Sequence, residues 1–513
     1  MASGSARRSR LTIGLLAGAV VLAACTSDSS SGSDEAPPNA SPQASAASPM
    51  QLKVMEFNIE YGGDEVDFSS VPAAIEAADA DVVGLEEAEG NTAQVAEVLG
   101  WDYYEPALQI ISRYPLLMPA ESEGLYTYVE VEPGRVAAIG NVHLPSAPYG
   151  PFQIGRNGLT AKEMTDLEHR ARLPELEPTL EALTELSKQG IPTFLMGDFN
   201  APSHLDWTEE AVGLRDHVKY AFDWPVSTAV EQAGFVDSYR EIHPDPVENQ
   251  GLTWPASRPH VKGYNPGPNG AEADRIDFIY AGGAATPTGS VIVGEQGGDS
   301  VEIVVEPWPT DHRAVVSTFE IEPADAPTLV ALQQRVVEVG DEVTVLFDSL
   351  DEGAVPTIAG PEPDATEVDV AGASTTEGTM TFATDGWEPG TYQAMLSDGS
   401  VVRRAPFWVQ EPGTGPVVRT LKRSYREDEP IEVEWTAGPG NRWDWVGIYK
   451  RGANPNVAWY ILWEYTQASV EGRLTFDKDA HGPWPLKPGK YSVYLLEDDG
   501  YHKLAGGNFT VAG

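Results

Sequence analysis

Cysteine is almost absent: Cys25 stands alone in 513 residues. That excludes a disulfide framework and any cysteine-rich zinc module. Cationic side chains are scarce too. Lys and Arg total 33 against 78 Asp and Glu, a formal charge of −45. Coating nucleic acid through phosphate contacts needs clustered cations, so extended nucleic-acid binding is not expected. The apolar run at the N-terminus, Leu11–Ala24, spans only 14 residues, too short for a comfortable transmembrane helix. Turn chemistry is plentiful, with 50 Gly and 41 Pro, over an apolar fraction of 41% that suffices for packed cores. The balance favours β-rich or α/β architecture, and the length suggests about three domains.

Arg7, Arg8 and Arg10 precede the apolar run, giving the charged and apolar regions of a secretion signal. The run ends Leu22-Ala23-Ala24-Cys25, which resembles the lipobox of bacterial lipoproteins. The resemblance implies cleavage before Cys25, lipidation of its thiol and an extracytoplasmic protein anchored to the cell membrane. The rival is an ordinary signal peptide (1–25) with an incidental cysteine. Residues 26–50, rich in Ser, Ala and Pro, read as a flexible tether.

From Leu52 to about Glu322, short β-branched runs alternate with amphipathic stretches. Strands are expected at 53–58, 81–85 and 192–197, and helices at 71–80 and 173–188. This is the pattern of an α/β sandwich. After Pro323 the helical period disappears and two segments look alike. Gly340-Asp341-Glu342-Val343 parallels Glu427-Asp428-Glu429-Pro430, and Trp387-Glu388-Pro389-Gly390 parallels Leu486-Lys487-Pro488-Gly489. The spacing is that of a small β-sandwich, so two tandem immunoglobulin-like domains are expected, at 323–412 and 413–513. The stretch 51–320 holds 15 basic and 45 acidic side chains.

Within that stretch, polar residues recur at the ends of apolar strands: Phe57-Asn58, Gly84-Leu85-Glu86-Glu87, Asn141-Val142-His143, Gly197-Asp198-Phe199-Asn200, Arg275-Ile276-Asp277 and Asp311-His312. A lone acid after a strand is usually a turn residue. Six such segments suit a hard cation, which takes carboxylate and carbonyl oxygens, and phosphoryl transfer, which needs a positioned water and a proton acceptor.

In this order the segments, with Ile111-Ser112-Arg113-Tyr114-Pro115 and Gly234-Phe235-Val236-Asp237-Ser238-Tyr239-Arg240, resemble the endonuclease/exonuclease/phosphatase superfamily of metal-dependent phosphohydrolases. The resemblance implies a DNase I-like four-layered α/β sandwich over 51–322, ahead of the two β-sandwiches, and a Mg²⁺ or Mn²⁺ cofactor. It implies Glu87 as principal metal ligand with Asn58 and Asp311 nearby. Asp198 and Asn200 would position water and phosphate, and His143 would donate to a phosphoryl oxygen or leaving group. His312, oriented by Asp277, would be base or phosphate ligand; whether Asp198 or His312 takes the proton stays open. One departure stands out: the family usually has Gln where Glu86 stands.

Other residues keep two readings. Arg113 is a candidate phosphate contact or a strand-end ion pair. Asp277 could pair with Arg275, and Asp237 with Arg240. Trp207, Trp224, Trp254 and Tyr264 could stack on substrate or anchor their loops. The basic stretch Arg258, His260 and Lys262 could take one anionic head group. Three acids per base make a small phosphoester or phospholipid head group a better expectation than duplex DNA, with a secreted nuclease as alternative. From another class, the rival is a non-catalytic surface-anchored scaffold whose sandwiches contact a cell-surface ligand.

Overall fold

The computed structural model describes residues 49–257, 272–349, 354–360, 374–376, 378–398, 401–455, 458–478, 480–498 and 500–513. Cys25, the leader and tether, and the stretch holding Arg258, His260, Lys262 and Tyr264 lie outside the described residues. Among the described residues, no helix is long and apolar enough to cross a membrane.

Among the described residues, fourteen strands precede the sandwiches: β1 (Met50–Asn58), β2 (Val82–Glu86), β3 (Tyr103–Glu105), β4 (Ile110–Ser112), β5 (Leu116–Leu117), β6 (Thr127–Glu132), β7 (Arg135–His143), β8 (Thr193–Asp198), β9 (Val236–Asp237), β10 (Asp277–Gly282), β11 (Ala285–Gly294), β12 (Val301–Val304), β13 (Ala314–Ile321) and β14 (Ala324–Asp325). They form two seven-stranded sheets. One runs β12-β11-β13-β1-β2-β4-β3, the other β5-β6-β7-β8-β10-β9 with β14 on the edge of β7.

Side chains alternate between the faces of a strand, and here both faces are covered. Leu52, Val54, Val82, Ile139, Phe194, Met196 and Ile279 meet between the sheets. Met55, Phe57, Val83 and Leu85 face outward onto the helices Ser70–Ala78 and Thr92–Leu99. Ala138, Leu195, Phe278 and Tyr280 face the helices Leu173–Lys188 and Pro225–Gln232 on the far side. The result is four layers, α/β/β/α, the DNase I-like arrangement. Pro178 sits inside the helix Leu173–Lys188, and its residue range is nonetheless the one expected from periodicity.

The C-terminal part is two β-sandwiches. In the first, Val336–Glu338 pairs in parallel with Val401–Gln410, which forms a hairpin with Gly390–Asp398. In the second, Ser424–Arg426 pairs in parallel with Lys503–Ala512, which forms a hairpin with Gly489–Leu496. The repeated Pro-Gly segments thus open equivalent strands. Each sandwich has its own core, one around Val343, Phe382 and Phe407, the other around Val433, Ile448 and Val493.

Gly197 carries the backbone that brings β8 against β7. Its φ is +140°, and an added Cβ would lie 1.8 Å from the Val142 carbonyl oxygen. Gly213 also has positive φ (+78°), with nothing within 4 Å of an added Cβ. Gly197→Ala is therefore expected to destabilise the α/β body by at least about 3 kcal/mol, and Gly213→Ala by about 1 kcal/mol. Denaturant midpoints of the two variants check this; equal losses would contradict it.

Candidate active site

The pairing registers explain why distant residues converge. In the parallel pair β1/β2, Asn58 lies opposite Glu86, and in the parallel pair β7/β8, His143 lies opposite Asp198. The antiparallel pair β10/β8 sets Asp277 opposite Asp198 as well. Stepping by twos from each of these residues into its strand (back along β1, β2, β7 and β8, forward along β10) reaches the inter-sheet core at Val54, Val82, Ile139, Met196 and Ile279. The same strand faces that pack apolar side chains in the middle of the sandwich thus turn polar at one rim. Asp311 and His312 arrive there on the segment entering β13, which pairs with β1.

The rim closes into a ring of contacts. Asn58 Nδ2 lies 3.2 Å from both Glu87 Oε1 and Asp198 Oδ2. Asp198 Oδ2 is 3.7 Å from His312 Nε2 and 3.7 Å from His143 Nε2. His312 Nε2 is 3.9 Å from Asp311 Oδ1. The Asp311 N–H donates to Glu60 Oε2 (3.1 Å), and the Glu60 N–H donates to Asn58 Oδ1 (3.0 Å), which completes the circuit. Behind it, His312 Nδ1 donates to Asp277 at 3.0 Å, and Thr253 Oγ1 receives the backbone N–H of Ile276 and Asp277. Trp254 Nε1 donates to Asp311 Oδ2 at 3.1 Å. Trp254 also packs edge-on against Tyr149 and lies 6.4 Å from the His312 ring.

Five carboxylates, those of Glu60, Glu87, Asp198, Asp277 and Asp311, share this rim with two imidazoles. Burial pushes Asp198 up to about 6, reinforced by Asp277 and opposed by His312 and His143. Burial disfavours a charged His312, but Asp277 and Asp198 override it and hold the imidazole well above its ordinary range. Burial raises the Tyr61 hydroxyl to about 12, with help from Glu87, Glu60, Glu89 and Asp311, so these acids crowd one neighbourhood. A donor set of carboxylate oxygens with an excess of negative charge is the chemistry of a hard divalent cation, and Glu87 and Asp311 carry oxygens that could serve as its ligands. Asp198, Asp277 and His312 also bring three potential ligand atoms within 4.8 Å. The Nδ1 bond to Asp277 identifies that trio as a hydrogen-bonded His–Asp pair facing a second acid.

Beneath the rim lie Glu56 and Glu86, both buried. As carboxylates none of their four oxygens has a donor among the described residues, nor does Asn141 Oδ1 accept from any of them. Burial pushes Glu86 up to about 8 and Glu56 well above the ordinary range. A shared proton supplies the hydrogen bond that the ionised pair lacks.

Several candidate residues differ from their expected roles. Arg113 is not at the rim. It follows β4 and pairs with Asp79 (3.3 Å) and Asp81 (3.8 Å), beside the residue of β4 that lies opposite Val82, at the far end of β2 from Glu86. The strand-end ion pair is the reading that holds. Asn200 turns inward: its Nδ2 donates to Leu144 O and Asp198, and its N–H to Asp198 Oδ1 at 2.8 Å, so it orients Asp198 rather than reaching toward substrate. Asn58 points its amide nitrogen at the two carboxylates, which makes it the spacer between Glu87 and Asp198. Arg275 pairs with Asp206 and Asp237, leaving Asp277 to His312, and Arg240 pairs with Asp206. Trp207 and Trp224 are buried loop anchors. Glu60 and Thr253 escaped the sequence reading; the available signal was an acid two residues past Asn58 and a hydroxyl next to Trp254.

Residues 55–312 match the model of the Endonuclease/Exonuclease/phosphatase family. An uncharacterized protein of Caenorhabditis elegans is 29% identical over 295 residues, covering 52% of this chain and 91% of that protein. Among solved structures, a humanized D. rerio TDP2 carrying 14 mutations aligns at 15% identity and a TM-score of 0.31, over 52% of this chain and 98% of its own. An endonuclease/exonuclease/phosphatase family protein from Bacteroides thetaiotaomicron aligns at 13% identity and a TM-score of 0.30, over 54% and 97%.

The buried acid pair sets a pH dependence. A carboxyl that holds its proton more tightly when folded stabilises the fold fully below its ordinary value of 4.5, and that contribution fades as pH rises through about 8. Glu86→Gln removes the ionisation and offers amide hydrogens to Glu56 or Asn141. The variant is expected to melt several degrees higher than the native protein at pH 8, with a shallower fall in Tm between pH 5 and pH 8. Parallel Tm profiles for the two proteins would contradict this.

Proposed function

The chain belongs to the endonuclease/exonuclease/phosphatase family, and on that premise we propose that it is a divalent-metal-dependent phosphoesterase that cleaves a small phosphoester or phospholipid head group by in-line attack of water. The observation that carries the reading is the closed ring of Asn58, Asp198, His312, Asp311 and Glu60, with Glu87 joined to it through Asn58.

A cation held by Glu87 and Asp311, with Mg²⁺ or Mn²⁺ the expected identity, would neutralise the charge that builds on the phosphoryl oxygens. Asp198, with its proton affinity raised to about 6, is still mostly ionised at neutral pH and is the proton acceptor for the attacking water. Asn200 and Asn58 fix the direction of that carboxylate. His312 carries a proton, is held by Asp277 through Nδ1, and presents Nε2 toward Asp198 and the space above it. In that state it donates to a phosphoryl oxygen. His143, on the other side of Asp198, is placed to assist the leaving group. The division of labour follows from environment: the cationic imidazole has no free lone pair to accept a proton, whereas the carboxylate does.

Two further observations bear on substrate. The region 51–320 has three acids per base, which disfavours a long polyanion. Trp254 and Tyr149 form an aromatic wall beside His312, suited to an apolar or aromatic leaving group. The lipobox-like sequence ending at Cys25 supports a membrane-anchored, extracytoplasmic setting, in which lipid head groups are at hand.

Alanine at Asp198 or His312 is expected to lower turnover by at least about 100-fold with the fold retained at the assay temperature, and His312→Ala to lower Tm because it leaves the buried Asp277 without its cation. A panel of mono- and bis-phosphoesters, phospholipids and plasmid, assayed with Mg²⁺ and with a chelator, checks the class; rapid plasmid nicking without turnover of small esters would reverse the substrate order. Turnover is also expected to rise with pH through about 6, as Asp198 loses its proton, and to fall again where His312 loses its own. A rate that declines across the first interval would remove Asp198 as the acceptor.

A further inference from the structure

Glu87 stands on a turn that no short run of sequence would adopt by itself. Directly after β2, Glu87 (φ 54°), Glu89 (φ 50°) and Gly90 (φ 89°) all have left-handed backbone. Two of these three are not glycine, so the surroundings must hold the conformation.

Part of the holding is local. The Gly62 N–H donates to Glu87 O at 2.7 Å, and the Ala88 N–H donates to Gln109 Oε1 at 2.9 Å. The rest comes from the second β-sandwich, about 400 residues away in sequence. The Gly90 N–H donates to Asp498 Oδ2 at 3.1 Å. Gly500 lies flat against Glu89, where an added Cβ would come within 3.0 Å of Glu89 Cγ. The loop that supplies these contacts is itself pinned. The Asp498 N–H donates to the buried carboxylate of Asp444 (3.1 Å), and Trp445 Nε1 donates to Gly500 O (3.0 Å). A second arm of the sandwich reaches the same place from behind: the Arg442 N–H donates to Ala107 O at 2.8 Å, just ahead of Gln109, whose side chain holds Ala88.

We propose that the second β-sandwich is a working part of the metal centre, with Asp498 a positioning residue that fixes the turn presenting Glu87. The proposal rests on the metal-dependent reading of the rim and deepens it. A carboxylate buried at a domain boundary and spent on a backbone N–H three residues from the principal ligand sets where that ligand sits. Partners bonded directly to a ligand change metal affinity by roughly 10- to 100-fold when removed; Asp498 acts through the backbone beyond the ligand, so the lower end of that range applies.

The test uses the full chain. Mn²⁺ binding is followed by the loss of the free-ion EPR signal, and hydrogen exchange is read over residues 87–91. Asp498→Ala is expected to weaken Mn²⁺ binding by about 10-fold and to speed exchange in that segment. Asp498→Asn, which keeps a carbonyl oxygen for the Gly90 N–H, should recover most of both. Gly500→Ala should weaken binding in the same direction by pushing on Glu89, and it serves where Asp498→Ala does not fold. Thr391→Val is the control for mere domain adhesion, since the Thr391 hydroxyl donates to Glu471 where the two sandwiches meet, away from the 87–90 turn; it should leave Mn²⁺ binding unchanged. Native Mn²⁺ binding and native exchange in both Asp498→Ala and Gly500→Ala would overturn the proposal. Failure of the unmodified protein to bind Mn²⁺ would instead remove the phosphohydrolase reading, and exchange over 87–91 would still judge the role of Asp498.

Discussion

Excess negative charge at a half-buried rim is the constraint on which the rest depends. Carboxylates gathered away from water repel one another and lose hydration, and each must find a proton, a cationic partner or a metal ion. All three responses are present. Glu56 and Glu86 hold protons. Asp277 and Asp198 take the cationic imidazole of His312. Glu60 takes the backbone N–H of Asp311; for Glu87 and Asp311 we propose a divalent cation as the partner. The stabilisation forgone in assembling such a cluster is tolerable because the sandwich beneath it buries a large apolar interior.

The fold explains why the cluster can exist. Parallel pairing of β1 with β2 and of β7 with β8 brings four strand ends to one edge, and the two sheets face each other across that edge. A polar residue at the last inward position of each strand then meets its counterparts without any special loop. What lies beyond the strand ends needs more help. The turn at 87–90 takes its shape from Gln109 and from a domain far along the chain, so the catalytic body and the C-terminal sandwich are coupled through a few hydrogen bonds.

Much of this was legible in the sequence, for a physical reason. Strand-end residues such as Asn58, Asp198 and Asp277 are marked by the apolar runs before or after them, and alternation gives their face. The helix 173–188 and the paired Pro-Gly strands of the sandwiches were legible from period and repetition. Arg113 kept two readings because a cation at a strand end carries no sign of which edge of the sheet it occupies; that depends on the direction of β4 relative to β2, and the ion pair with Asp79 and Asp81 decides it. The roles of Asn200 and Asn58 turn on which side-chain atom is committed to the backbone, and composition holds no record of that. Glu60 lies two residues past Asn58, but its contact with the Asp311 N–H joins residues 251 apart. The Asp498 contact spans 408 positions, where no local pattern exists to read.

The central claim is that this ring of acids and imidazoles holds one divalent ion against a phosphate. Anomalous diffraction from crystals soaked in Mn²⁺ addresses it most directly. The account predicts a peak within bonding distance of Glu87 and Asp311 oxygens, on the side of the ring that His312 Nε2 and Asp198 face. An ordered ring with no peak there, or Mn²⁺ bound only at a distant surface, would contradict it.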